Sequence, residues 1–182
     1  MDTLEAALVG RRNIYSEMAK IVASRQHDVR KQGIKESLGG FQNVEHRLEE
    51  VARVRGIRFI NDSKATNVNA AWYALESMEA PVIWIAGGQD RINNYHNLTT
   101  TVRQKVKTLI CIGNDNRFIT AIFKNHTDSI IEADSMEEAV QYAYLAGKPG
   151  DTVLLSPACP SFDRFENYAD RGKRFRKAVY DL

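Results

Sequence analysis

The run Asn61-Asp62-Ser63-Lys64-Ala65-Thr66-Asn67 crowds a carboxylate, an ammonium, two hydroxyls and two amides between an apolar strand and a helix. Capping of the helix that starts near Val68, by Asn67 or Thr66, explains one or two of these groups. Asp62 and Lys64 are left over, and convergent polar groups of both signs suit an anionic or zwitterionic ligand. Gly87-Gly88-Gln89-Asp90-Arg91 follows a second strand. There, paired glycines let a backbone approach a ligand closely, and Arg91 can grip a carboxylate through two parallel hydrogen bonds. Ser156-Pro157-Ala158-Cys159-Pro160-Ser161-Phe162-Asp163 follows a third strand and leads toward a helix start, whose free N–H groups suit a carboxylate.

Other chemistries find less support. Ser161 lacks a G-x-S-x-G elbow and an obvious histidine partner, so it reads as a hydrogen-bond donor rather than a nucleophile. Nothing around Cys159 lowers a thiol pKa, so it takes no catalytic role. Cys111 and Cys159 lie far apart, outside C-x-x-C spacing, and no ligand cluster accompanies His27, His46, His96 and His126, which argues against zinc. Arg47 is either a solvated arginine on an edge strand or, near a domain boundary, a contact to phosphates held by a neighbouring domain. The phosphate-loop pattern G-x-x-x-x-G-K-[ST] does not occur, so the chain has no such loop to hold nucleotide phosphates and no catalytic residue is assigned. Twenty-five Lys and Arg against 23 Asp and Glu, a net charge of +2, is too balanced for a nucleic-acid surface. The acidic, interrupted start Met1–Gly10 reads as neither a signal peptide nor a membrane span, which leaves the cytoplasm as the expected compartment.

These loops need a scaffold, and 182 residues at 43% hydrophobic supply one core with some material left for a small appendage. Leu48–Val54 and Ile57–Ile60, joined at Arg55-Gly56, read as an antiparallel strand pair. Strands at Val82–Ala86, Thr108–Ile112, Ser129–Glu132 and Thr152–Leu155 then alternate with helical periodicity, which predicts a mostly parallel α/β sheet flanked by helices. The helical apolar sets are Ala70, Ala71, Ala74, Leu75 and Met78; Phe118, Ile119, Ile122 and Phe123; and Met136, Ala139, Val140 and Ala143, the last begun by a Ser135/Glu138 capping box. A final helix turns Phe175, Ala178, Val179 and Leu182 inward and Arg171, Lys173, Arg174 and Lys177 outward. Before Asn43, Ile14, Met18, Ile21 and Val22 mark an amphipathic helix, and Asp28–Leu38 a shorter one ended by Gly39-Gly40. The boundary falls at residues 43 and 44, and the exposed apolar stripe of the first helix is a candidate for self-association.

His46-Arg47-Leu48-Glu49, Phe59 through Asn67, Gly87-Gly88-Gln89-Asp90, Leu155 through Phe165 and Arg171-Gly172, in this order and spacing, resemble the Mur ligase family and within it the D-glutamate-adding branch. The resemblance implies a three-domain parent. Residues 1–43 would be the helical end of its central ATPase domain, and 44–182 its Rossmann-like amino-acid-binding domain. It implies ATP and Mg2+ as cofactors, and ATP, D-glutamate and UDP-N-acetylmuramoyl-L-alanine as the molecules bound, in peptidoglycan synthesis, with no nucleic acid or membrane partner. By motif position it implies contacts from Asn13 to adenine, Arg47 to the ATP phosphates and Asp62 to ribose. D-Glutamate would lie among Lys64, Thr66, Arg91, Ser161, Phe162 and Tyr168. Arg12 stands where the family commonly has histidine, and Arg91 where it commonly has lysine, which alters carboxylate geometry. A free-standing binding module for an acidic amino acid or nucleotide, and a folylpolyglutamate-type ligase, are the alternatives. The Asp-Ser-Lys-Ala-Thr-Asn and Ser-Pro-Ala-Cys stretches favour D-glutamate.

Overall fold

The computed structural model of the chain describes Met18 and residues 44–79, 81–88 and 94–182. Asn13, Arg91 and, apart from Met18, the two helices expected before Asn43, with the candidate self-association, lie outside the described residues. The chain divides into two units, Met1–Val44 and Glu45–Leu182, and the second holds the site loops.

Six strands form one sheet in the order β1-β2-β6-β3-β4-β5. They are β1 (Glu49–Val54), β2 (Ile57–Asn61), β3 (Val82–Ala86), β4 (Val106–Ile112), β5 (Ser129–Ala133) and β6 (Thr152–Leu155). Only β1 runs antiparallel, paired with β2, while every other neighbour is parallel. Central β3 is buried along its whole length, as its uninterrupted apolar run requires of a strand covered on both faces. Side chains alternate across it. Val82, Trp84 and Ala86 enter one core with α1 (Val68–Ser77), a 3-10 turn at Tyr95–Leu98, α2 (Thr99–Lys105) and α3 (Arg117–Phe123). Ile83 and Ile85 enter the other with α4 (Met136–Ala146) and α5 (Tyr168–Tyr180). Asn67 caps α1 by accepting from Ala70 N at 2.9 Å, and Ser135 caps α4 by accepting from Glu138 N at 3.0 Å.

Several expectations are corrected. Arg171 is fully buried rather than outward, and Leu182 lies past the end of α5 with 41% of its surface exposed. Phe118 is 53% exposed although Ile119 and Phe123 are buried, because it sits at the margin of the inward stripe of α3, with its ring 6.1 Å from that of Tyr95. The segment after Ser161 is a turn, closed by Phe165 N donating to Ser161 O at 3.0 Å, and the helix begins only at Tyr168.

Helix α5 is seated on the sheet edge by a close approach. A Cβ on Gly172 would lie 2.3 Å from His46 Nδ1, so only hydrogen fits there. Asn61 Nδ2 donates to Gly172 O at 3.1 Å and to His46 Nδ1 at 2.9 Å, which places the ring proton on Nε2. Nε2 is buried with no hydrogen-bond partner among the described residues. Burial lowers the His46 pKa, Glu49 and Glu45 oppose the shift, and Arg176 and Lys173 reinforce it. The folded chain therefore holds His46 neutral where the unfolded chain takes up a proton. Its contribution to stability is complete above the ordinary value of 6.5 and is lost as pH falls from there toward the lowered folded value. Urea unfolding between pH 8 and 5 should show a loss of stability on acidification that shrinks in His46→Gln, and an unchanged pH slope in the variant would remove His46 as its source. Gly172→Ala should lower the unfolding free energy by about 1–3 kcal/mol, read from the urea midpoint, and a wild-type midpoint would show that the approach is looser than described.

Candidate functional site

Parallel pairing puts the carboxyl ends of β2, β6, β3 and β4 on one edge of the sheet, with Asn61 opposite Leu155 and Leu155 opposite Ile85. Ligand crevices of open α/β sheets form at this edge. The antiparallel β1 starts there, because Glu49 pairs with Asn61, and so delivers Arg47 to the same place.

Asp62 ties that edge together. Its backbone N donates to Leu155 O at 2.7 Å, its Oδ2 accepts from Ser156 Oγ at 2.9 Å, and its Oδ1 accepts from Leu48 N at 3.3 Å. Lys64 N donates to His46 O at 3.0 Å. The knuckle His46-Arg47-Leu48 is thus stitched to the β2 loop on both sides of Arg47. The stitching holds His46 at φ +62° and Leu48 at φ +48°, left-handed conformations that cost roughly 1–2 kcal/mol each.

The β2 and β6 loops are joined through α5. Ser63 Oγ donates to Tyr168 O at 2.7 Å and accepts from Arg171 Nε at 3.0 Å. Arg171 Nη2 donates to Ser63 O at 2.9 Å and Nη1 to Cys159 O at 3.2 Å. Burial pulls the guanidinium down to about 10, offset in part by the charge of Asp163 and by the Cys159 contacts, so it stays cationic at neutral pH. Ala158, at φ +64°, donates its N to Ala65 O at 3.0 Å and completes the seam. Trp84 Nε1 reaches up from β3 to Ser156 O at 2.8 Å.

The glycine pair after β3 serves this assembly first. Gly87 N donates to Pro157 O at 3.0 Å. A Cβ on Gly87 would lie 2.6 Å from Ile112 O, and one on Gly88 would lie 2.5 Å from Pro160 O. The close approach that glycine permits is therefore to the neighbouring strand tips β4 and β6.

Among the expected site residues, Lys64 is exposed, with Nζ 5.7 Å from the centre of the Tyr168 ring. Thr66 is half-buried beside it and donates its N to Lys64 O at 2.9 Å. Ser161 is buried on the β6 loop, while Phe162 beside it is 70% exposed. Lys64, Thr66 and Tyr168 therefore stand at one loop cluster. Ser161 and Phe162 lie on the loop that Arg171 fastens to it. Asp62 is buried beneath, and Arg47 is half-buried on its knuckle.

Sequence reasoning passed over Arg171, Asn61 and Ser63 as working parts. The signal for Arg171 was present, since residues 171, 175 and 178 fall on one helical face. Both thiols are buried, and burial pushes Cys111 up to about 12. Among the described residues no group of three or more His, Cys, Asp or Glu could hold a metal ion. No described helix is long and apolar enough to cross a membrane.

The pattern of the Mur ligase, glutamate ligase domain, matches residues 46–159. The chain is 53% identical to the UDP-N-acetylmuramoylalanine--D-glutamate ligase of Christiangramia forsetii, over 100% of this chain and 41% of that protein. It is 50% identical to the protein of the same name from Porphyromonas gingivalis, over 100% of this chain and 40% of that one. The chain thus spans about two-fifths of the length of the curated relatives it matches. The UDP-N-acetylmuramate-alanine ligase of Thermotoga maritima shares the fold with a TM-score of 0.68 at 13% identity, covering 96% of this chain and 39% of that one. A Mycobacterium tuberculosis folylpolyglutamate synthase complexed with ADP and AMPPCP gives a TM-score of 0.67 at 10% identity, covering 92% and 41%. Identities this low speak for the fold alone. On the match to residues 46–159, the chain belongs to the Mur ligase family and carries its glutamate ligase domain.

Proposed function

We propose that this chain is the carboxyl-terminal part of an ATP-dependent, cytoplasmic ligase that adds D-glutamate to UDP-N-acetylmuramoyl-L-alanine in peptidoglycan synthesis, and that residues 44–182 receive the D-glutamate. The observation that carries the reading is the loop cluster at the sheet edge: an exposed Lys64 beside Tyr168, with the Ser161-Phe162 loop fastened to it through Arg171. The names of the relatives from Christiangramia forsetii and Porphyromonas gingivalis support D-glutamate as the amino acid.

The chemistry fits the ligand. D-Glutamate brings two carboxylates, which Lys64 and Arg91 offset, while Thr66 and Ser161 supply hydrogen bonds and Phe162 and Tyr168 wall the pocket. In the proposed reaction ATP transfers its γ-phosphoryl group to the acceptor carboxylate and leaves as ADP. The amine of D-glutamate then attacks the acyl phosphate, a tetrahedral intermediate forms, and phosphate leaves. Magnesium, when bound, neutralises charge on the phosphates.

On the nucleotide side, Arg47 reaches the phosphates from its fixed knuckle, and the contact of Asn13 to adenine rests on motif position alone. Asp62 is engaged first by Leu48 N and Ser156 Oγ, so its main service is to hold Arg47 in place. The contact of Asp62 to a ribose hydroxyl is implied by motif position alone. Because the chain has no G-x-x-x-x-G-K-[ST] loop, it should not turn over alone. ATP cleavage coupled to D-glutamate by this chain in isolation would overturn that part of the reading.

In the full-length parent, Lys64→Ala should lower kcat/KM for D-glutamate roughly 10- to 100-fold, the loss of a charge-assisted contact. The fold should stay intact, since the side chain is exposed. Phosphate release at varied D-glutamate, with thermal melting as the control, checks both. Wild-type kinetics in the variant would remove Lys64 from the pocket, and a parent that prefers another amino acid would point to a different ligase of the family.

A further inference from the structure

We infer that Arg164 and Asn114 are positioning residues for the D-glutamate pocket: they clip the Ser161-Phe162 loop to the tips of β4 and β5, and so set the affinity for the amino acid without touching it. This rests on the D-glutamate reading above. Arg164 spends its guanidinium on three oxygens from two other strand tips. Nη2 donates to Gly113 O at 2.9 Å, Nε donates to Asn114 Oδ1 at 3.1 Å, and Nη1 donates to Asp134 O. Asn114 answers in the other direction, its N donating to Asp163 Oδ2 and its Nδ2 to Asp163 O, both at 3.3 Å.

The nearest carboxylate contact of Arg164 is Asp134 Oδ1 at 3.9 Å, on a side chain that is 99% exposed. Solvent screens such a pair. The arginine is therefore not chiefly an ion-pair partner. Its rigid planar fork sets the spacing and angle of three loops, which a flexible ammonium does not do. Arg164 lies three residues after Ser161, and its own N donates to Ser161 O at 3.3 Å, so the backbone turn that the fork holds is the one that carries Ser161 and Phe162. Arg171 anchors this loop through Cys159 on one side. The Arg164 clip holds the other, leaving Ser161 and Phe162 between two fixed points.

The test uses the full-length parent carrying Arg164→Lys, Asn114→Ala, or both. Each single variant should raise KM for D-glutamate about tenfold or more, a misplacement effect, with kcat at saturating D-glutamate and KM for ATP within about twofold of wild type. Because the two residues share the clip, the double variant should be scarcely worse than the poorer single one. A D-glutamate KM that stays at the wild-type value overturns the inference, as does a joint rise of the D-glutamate and ATP constants, which would mark general loosening. Should Arg164→Lys lose cooperative melting, Asn114→Ala carries the test, because Asn114 is exposed and outside the core. A wild-type parent that does not use D-glutamate sinks the underlying reading, and that arm is separate from the variants.

Discussion

A buried cation with no close carboxylate among its hydrogen-bond acceptors is the constraint around which this sheet edge is organised. Arg171 gives up hydration to bond Ser63 Oγ, Ser63 O and Cys159 O, oxygens from two loops that are far apart in sequence. Desolvating a charge is costly, and that cost is offset only while all of the acceptors stay in place. Neither loop can move without stranding the guanidinium, and α5 cannot slide without moving both loops.

The charged side chains named at this sheet edge fall into two groups with different work. Arg171, Arg164 and Asp62 are turned into the structure and hold backbone groups of neighbouring loops. Lys64 is turned outward, and Arg47 sits half-buried on a loop whose strained backbone is fixed from both sides. Rigid presentation of a few outward charges lowers the cost of ordering them when a ligand arrives. Tyr168 follows the same pattern, its ring partly exposed while its carbonyl is held by Ser63 Oγ.

What the sequence revealed follows from which interactions are local. β3 and β6 were legible at their true bounds because both are short apolar runs flanked by polar loops, and Asn67 and Ser135 were legible as caps because capping acts within three residues. Arg171 was misjudged because its charge was weighed above its spacing, and its acceptors lie 12 and 108 residues away. Asn61 likewise looks like one more polar loop residue, yet it reaches Gly172, 111 residues on. The glycines after β3 were read as letting the backbone approach a ligand, whereas the groups that a Cβ would meet there belong to the tip of β4 and the loop after β6. Long-range pairing of polar groups leaves no periodic trace in the chain.

The hydrogen bond from Trp84 to Ser156 O has a practical meaning. The indole is wholly shielded and touches the first residue of the β6 loop. The chain has only two tryptophans, and the other, Trp72, is partly buried on α1. The emission of Trp84 therefore responds to the polarity and hydrogen bonding at the root of the pocket rim, which makes the protein its own optical reporter of whether the strand tips are assembled.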